Sequence, residues 1–337
     1  MRGRAILFTG REQVHVATEE VGRPEGAQVL VRARATLVST GTECIVLAQA
    51  FEPGTGWASW GVFPFRPGYS LVGEIVAAGP DARRFAVGQR VAVRRAHADF
   101  AVADEAALVP VPDAVADHDA AWFGLASIVQ NGIRRVGIGL GDDVAVIGVG
   151  ILGQLACQYA RLCGARSVTA IDTAAPRLET ARRLAATHVL AMSAGDAVEP
   201  LRDITGGRLA DVVIDVTGAA AAFQPGLALA GTLGRYLLLG DTGFPSRQSL
   251  SHEVLRRGIT IVGAHDVNPP AQATPHYRWT HAHMQALFFD LVVQGRMRVA
   301  PLRTDVVVPE DAPAMYRRLL ADRAAHLGVV FDWTHGR

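Results

Sequence analysis

The sequence predicts an α/β protein in which a doubly wound, parallel-sheet domain is inserted into a discontinuous β-rich one. Three observations carry that prediction. A glycine-rich turn sits in mid-chain between a wholly apolar strand and a helix-compatible run. Strands then alternate with amphipathic helices as far as Val262. On both sides of that region the pattern is strand, turn, strand. A β-α-β rhythm implies crossover connections and a parallel sheet. At 337 residues, half of them hydrophobic, the chain has length and apolar surface for two cores.

Charge and composition exclude several classes. The 33 basic residues nearly balance 32 acidic ones, which gives no field suited to nucleic acid or an anionic membrane. Met1-Arg-Gly-Arg-Ala-Ile-Leu-Phe8 lacks a signal-peptide apolar core, and no run approaches membrane-spanning length. Cys44, Cys157 and Cys163 are too few and too scattered for a disulfide framework or a four-cysteine zinc lobe. A cytoplasmic protein acting on a small molecule is expected.

Taken in order, residues 4–9 and 28–38 read as strands, the second alternating with period two. Ser39-Thr-Gly-Thr-Glu-Cys44 reads as a loop, and 51–67 as a mobile stretch rich in aromatics and turn formers. Residues 68–79, 85–93, 96–102 and 107–112 complete a small β-rich domain. From Asp117 the texture changes, with a helix through Trp122 to Val136. Strands follow at 144–147, 167–171, 188–190, 211–215, 234–239 and 260–262. Beyond Val267 come helices around 284–294 and 312–321, a strand at 304–308 and a closing strand from Gly328 to Trp333. The expected domains are therefore 1–117 with 268–337, and 118–267.

Chemistry is most legible at the mid-chain turn. Val144 to Ile147 are apolar throughout, as in a strand buried on both faces. Gly148, Val149, Gly150, Ile151, Leu152 and Gly153 then supply the G-x-G-x-x-G spacing. Gly148 allows the tight turn, Gly150 lets backbone approach a pyrophosphate, and Gly153 lets helix and strand pack closely. The helix start offers unpaired N–H groups to phosphate. Val168-Thr-Ala-Ile-Asp172 is a second short strand ending in an acid, about 20 residues on, where a ribose-binding carboxylate belongs. Asp172 repels a 2′-phosphate, and Thr173 and Ala174 follow instead of a basic pair, so NAD(H) is favoured over NADP(H). Arg177 lies close enough to soften that preference.

The whole organisation resembles the medium-chain dehydrogenase/reductase superfamily. The resemblance is carried by Gly41-Thr-Glu43, by Arg66-Pro-Gly-Tyr-Ser-Leu-Val-Gly-Glu-Ile-Val-Ala-Ala-Gly79 and by Phe85-Ala-Val-Gly-Gln-Arg-Val91. It continues through Gly148–Gly153 with Asp172, Asp215-Val-Thr-Gly218, and Gly234-Arg-Tyr-Leu-Leu-Leu-Gly240. It implies a GroES-like catalytic domain plus a Rossmann domain, an active site between them, and hydride transfer to or from NAD(P). It also implies a homodimer or homotetramer, with Thr217 and Gly240 beside the cofactor. Departures from the zinc-binding members are informative. Their cysteine slot holds Ser39 or Thr40, their Gly-His-Glu reads Gly68-Tyr69-Ser70, and a further ligand position falls at Gly124 or a neighbour. Catalytic zinc needs three protein ligands and one open position, so no metal is expected. Cys44 reads as a small buried hydrophobe. Ser39–Glu43 with Pro67-Gly-Tyr69 is also similar to the branch containing the bacteriochlorophyllide dehydrogenase and several natural-product alcohol dehydrogenases, which favours a zinc-free branch acting on alcohols.

Without a metal, the oxygen that gains or loses charge needs a hydrogen-bond donor or a general acid–base. Tyr69 is one candidate, with Ser39 or Thr40 as relay and Glu43 orienting either or binding a substrate hydroxyl; alternatively Tyr69 fills space the metal vacates. His97 is a second acid–base candidate, though its loop position favours a solvent-exposed or capping role. Thr274–Trp279, within a polar-aromatic cluster reaching His281 and His283, reads as a substrate lid or an exposed connecting loop. Trp57, Trp60, Phe63 and Phe65 wall a substrate, pack locally or meet another subunit. The expected activity is zinc-independent, NAD(H)-dependent oxidoreduction of a secondary alcohol or ketone, with a sugar, cyclitol or specialised metabolite as substrate. A quinone or enoyl reductase is the alternative that Asp172 disfavours, and a non-catalytic nucleotide-binding protein is a third.

Overall fold

The computed structural model describes residues 1–335. It divides into two compact units: Met1–Ser127 together with the chain from Pro270 onward, and Ile128–Pro269. The first unit opens with β1 (Arg2–Gly10) and β2 (Gln13–Glu20), a two-stranded antiparallel ribbon. β3 (Gln28–Leu37), α1 (Thr40–Ala48), α2 (Gly56–Trp60), β4 (Leu71–Ala78), β5 (Arg90–Val93), β6 (Phe100–Asp104) and β7 (Val109–Pro110) follow. Two helices come next, α3 (Asp117–Ala120) and α4 (Phe123–Val136), and the unit boundary falls inside α4.

The second unit alternates strictly. Its elements are β8 (Asp143–Ile147), α5 (Ile151–Leu162), β9 (Ser167–Asp172), α6 (Ala175–Leu184), β10 (His188–Ala191) and α7 (Val198–Ile204). They continue with β11 (Ala210–Asp215), α8 (Ala220–Leu227), β12 (Ala230–Leu238), α9 (Glu253–Arg257) and β13 (Thr260–Gly263). The strands lie in the order β10-β9-β8-β11-β12-β13, every neighbouring pair parallel. In local numbering that is 3-2-1-4-5-6, the order whose switch point beside the first strand opens a crevice at the strands' carboxyl ends. All five residues of β8 are buried, which explains its unbroken apolar reading.

The chain then returns to the first unit through α10 (His281–Val293), β14 (Arg303–Val307), α11 (Ala312–Ala321) and β15 (Gly328–Asp332). β15 pairs antiparallel with β3, Val330 opposite Leu37, so the last strand is stitched to one of the first. The seven-stranded sheet runs β14-β15-β3-β4-β5-β7, with β6 also on β3. Its core gathers Ile6, Phe8, Val31, Leu47, Ile75, Tyr316 and Phe331, all fully buried.

Two local readings change. The segment from Ser39 to Cys44 is not a loop, because Thr40 begins α1. Ser39 accepts the Glu43 N–H at 2.9 Å, and the Glu43 carboxylate reaches back to the Ser39 N–H at 2.7 Å. The first is the opening backbone bond of the helix; the second is the carboxylate half of a capping box, made from one residue further on. Within the aromatic stretch, Thr55 caps the short α2. Here Trp57 is buried and stacks edge-on with Trp60, and Trp60 with Phe65. These rings pack on one another and, through Phe65, on Phe8.

Candidate active site

In the second unit the fingerprint glycines lie between β8 and α5. Gly148 has a φ of +82°, open to glycine at low cost. A Cβ on Gly153 would stand 2.0 Å from the Gly148 carbonyl oxygen, so helix and turn touch only because that side chain is absent. The Gln154 amide donates to the carbonyls of Val149 and Arg177, tying the turn to α6. Val149 and Ile151 are buried, and Leu152 is half-buried. Asp172 closes β9 and accepts the Val149 N–H at 2.8 Å and the Ala174 N–H at 2.9 Å, one on each carboxylate oxygen. Each oxygen keeps acceptor capacity. Arg177 reaches to 3.5 Å of the position a Gly150 Cβ would take. A Gly148 Cβ would meet Thr217 at 2.8 Å, and one on Gly240 would meet the Gly218 nitrogen at 2.5 Å. Asp215 fixes that neighbourhood by accepting from the Thr217 N–H, the Thr217 hydroxyl and the Tyr236 hydroxyl. The residues expected at a dinucleotide are thus gathered at the carboxyl ends of β8, β9, β11 and β12, with Thr173 exposed just past β9. Glycines at the close approaches, an open helix start and a strand-end carboxylate fit such a ligand.

In the first unit, Tyr69 precedes β4 and donates to Ser39 Oγ at 2.7 Å. Ser39 is the residue before α1, and its hydroxyl makes no capping bond to the helix; it serves Tyr69 instead. Burial pushes the Tyr69 phenol up to about 12, while hydrogen bonds with Ser39 and Thr42 and the charge of Arg94 pull the other way. At neutral pH the phenol therefore stays protonated and donates.

Beside Ser39, it is Thr42 that hydrogen-bonds the Tyr69 phenol. Thr42 lies in the first turn of α1, three residues past Ser39, and Thr40 is buried at the first helical position.

Glu43 and His97 are placed differently from their sequence reading. Glu43 is 1% exposed. One oxygen takes the Ser39 N–H; the other takes His97 Nε2 at 3.2 Å and the Tyr316 hydroxyl. It positions Ser39 and is too enclosed to meet a substrate hydroxyl. His97 is wholly buried rather than exposed. Its backbone bonds to Ile6 and Pro67 draw it inward, and Nδ1 lies 2.7 Å from Thr36 Oγ1. Trp333 Nε1 donates to the same Thr36 oxygen at 2.9 Å. The network is complete with the His97 hydrogen on Nε2 and Thr36 donating to Nδ1. Gly68 admits this packing: its φ is +92°, and a Cβ there would stand 2.7 Å from the imidazole. Cys44 is buried, and burial raises its thiol to about 12. His276, Tyr277 and Arg278 are exposed, and Thr280 caps α10 by accepting the His283 N–H. Among the described residues, no group of three or more His, Cys, Asp or Glu side chains is placed to hold a metal ion. None of their helices is long and apolar enough to cross a membrane.

Comparison with known proteins agrees with this fold. Residues 25–113 match the alcohol dehydrogenase GroES-like domain, and 152–275 match the zinc-binding dehydrogenase domain. D-guloside 3-dehydrogenase of Escherichia coli K12 is 27% identical over 294 residues, 84% of this chain and 83% of that protein. An E. coli oxidoreductase of unknown specificity involved in membrane biogenesis superposes with a TM-score of 0.83 at 17% identity, covering 98% of this chain and 99% of its own. The 2R,3R-butanediol dehydrogenase of Bacillus subtilis gives 0.81 at 16% identity over the same shares. The chain belongs to the medium-chain dehydrogenase/reductase superfamily, as an oxidoreductase of the alcohol dehydrogenase type.

Proposed function

We propose that the protein is an NAD(H)-dependent, metal-independent dehydrogenase/reductase that interconverts a secondary alcohol and a ketone on a sugar, cyclitol or similarly hydroxylated metabolite. The observation that carries this reading is the Tyr69–Ser39 hydroxyl pair, standing where the resemblance implies zinc ligands. The reduced nicotinamide supplies a hydride when bound. The protein must then manage one proton. Tyr69 is a phenol at neutral pH and serves as its donor, Ser39 and Thr42 hold the phenolic oxygen, and Glu43 fixes Ser39 through its backbone. Asp172 supports NAD(H): its free acceptor positions suit two ribose hydroxyls, and its charge opposes a 2′-phosphate. The sugar class is supported by the name of the guloside relative, which spans most of the chain.

The test is calorimetric titration of the purified protein with NADH and NADPH, with elemental analysis of the same sample. NADH is expected to bind at least about tenfold more tightly, and Asp172→Ala to narrow the gap. Tighter NADPH binding sinks the cofactor assignment, and one stoichiometric zinc per chain sinks the metal-independent chemistry.

A further inference from the structure

Tyr69 has a third neighbour, and it is charged. Arg94 follows the last residue of β5, and its guanidinium carbon lies 5.1 Å from the centroid of the Tyr69 ring. The pairing of β4 with β5, Leu71 opposite Val93, brings the residues before one strand beside those after the other. We infer that Arg94 is the charge partner of Tyr69, stabilising the tyrosinate left when the phenol gives its proton to a substrate oxygen, and so acts as a positioning residue for that transfer. The inference rests on Tyr69 being the proton donor.

The physical case starts from distance and permanence. A guanidinium within about 6 Å of a ring centroid is attracted to the aromatic face. A guanidinium is a permanent charge with five N–H donors and no acceptor. A neutral phenol offers it only a quadrupole, whereas a tyrosinate offers a full negative charge. Arg94 therefore favours the state formed during proton transfer over the one before it, which is the condition for lowering a barrier. In reduction, the ketone carbon gains the hydride and its oxygen takes the π electrons. The Tyr69 O–H bond breaks, the proton makes the alcohol O–H, and the bond pair stays on Tyr69 until water returns a proton.

The other groups facing the phenol cannot take this role. Ser39 and Thr42 are neutral hydroxyls, which rotate to donate once the phenol has ionised. Glu43 is anionic and opposes tyrosinate formation, and its carboxylate is already engaged by the Ser39 N–H, His97 and Tyr316. Among the charged groups acting on Tyr69, Arg94 is the positive one, and it works against burial and Glu43, which still leave the phenol raised.

The experiment replaces Tyr69 alone with a ring-fluorinated, more acidic tyrosine and follows its ¹⁹F resonance against pH. That single nucleus reports ionisation at residue 69 despite the four other tyrosines. Arg94→Gln is expected to raise the midpoint by about one pH unit, a tenfold change in ionisation. Arg94→Lys, which keeps the charge, is expected to move it by less than half as much. Should Arg94→Gln fail to fold, Arg94→Met compared with Arg94→Lys reads the same quantity. A midpoint unmoved on removing the charge overturns the inference, whatever the activity of Tyr69→Phe. A moved midpoint with a fully active Tyr69→Phe overturns the donor role and with it the part of Arg94 in turnover.

Discussion

Tyr69→Phe is expected to lower kcat by about 10²- to 10⁴-fold, the range over which a positioned acid–base group contributes, while NADH affinity stays within about twofold. The substitution is close to a pure deletion of chemistry. Phenylalanine keeps the ring beside Arg94 and most of the packing, and removes only the hydroxyl that donates to Ser39 at 2.7 Å. A residue that merely fills the volume left by a metal would tolerate the change, because shape is retained. The sign of the pH dependence separates the two roles as well. With its phenol near 12, Tyr69 is protonated at neutral pH and available as an acid for ketone reduction. Alcohol oxidation requires the tyrosinate, whose fraction, while pH is below that value, grows about tenfold with each unit that pH rises. Oxidation by the parent enzyme should therefore climb steadily between pH 7 and 10, and in Tyr69→Phe that slope should vanish. Steady-state rates in both directions with NAD⁺ and NADH decide it; full turnover by the variant assigns the proton to another group.

What could be read from sequence, and what could not, follows the range of the interactions concerned. Gly148, Gly150, Gly153 and Asp172 were legible because their job is local. A turn, a close backbone approach and a strand-end carboxylate are each specified within about 25 residues. The parallel pairing of the second unit follows from the same alternation. The start of α1 was not legible. Ser-Thr-Gly-Thr has poor helix propensity, and what commits it to a helix is the Glu43 carboxylate, itself held by Tyr316 and His97 from far along the chain. His97 read as a loop residue because Ala-His-Ala-Asp carries no apolar period. Its burial comes from backbone pairing with Ile6 and Pro67 and from the missing side chain at Gly68. The Thr42 contact with Tyr69 depends on that helix forming, so it was not legible either. The Arg94–Tyr69 contact depends on the register of β4 against β5, a property of the sheet that no single strand records.

The largest loss of stability is expected from Glu43→Ala. The carboxylate is 1% exposed and takes three donors, the Ser39 N–H, His97 Nε2 and the Tyr316 hydroxyl. Burial, followed by the negative charge of Glu43, drives the Tyr316 phenol well above its usual value, so it is held as a donor. Removing the acceptor leaves three buried polar groups facing a cavity, and breaking such a cluster from one side costs about 3–5 kcal/mol. In domains of this size each kcal/mol shifts Tm by roughly 2–4 °C, so a fall on the order of 10 °C is expected. Glu43→Gln keeps the volume and one good acceptor for the Ser39 N–H, while its amide donates to the Tyr316 oxygen after the hydroxyl turns and to His97 Nε2 after the imidazole hydrogen moves to Nδ1. It should lose less than half as much. The same variants reach the chemistry indirectly. Without the Glu43 contact the backbone at Ser39 is no longer pinned, and the hydroxyl that receives Tyr69 drifts with it. In Glu43→Gln, at temperatures where it is fully folded, kcat should fall while KM for NADH holds, because the dinucleotide residues lie in the other unit. Thermal unfolding with paired steady-state kinetics tests both halves. A Tm change under about 2 °C for Glu43→Ala would show that the buried cluster contributes little to stability, and an unaltered kcat in Glu43→Gln would release Ser39 from its dependence on it.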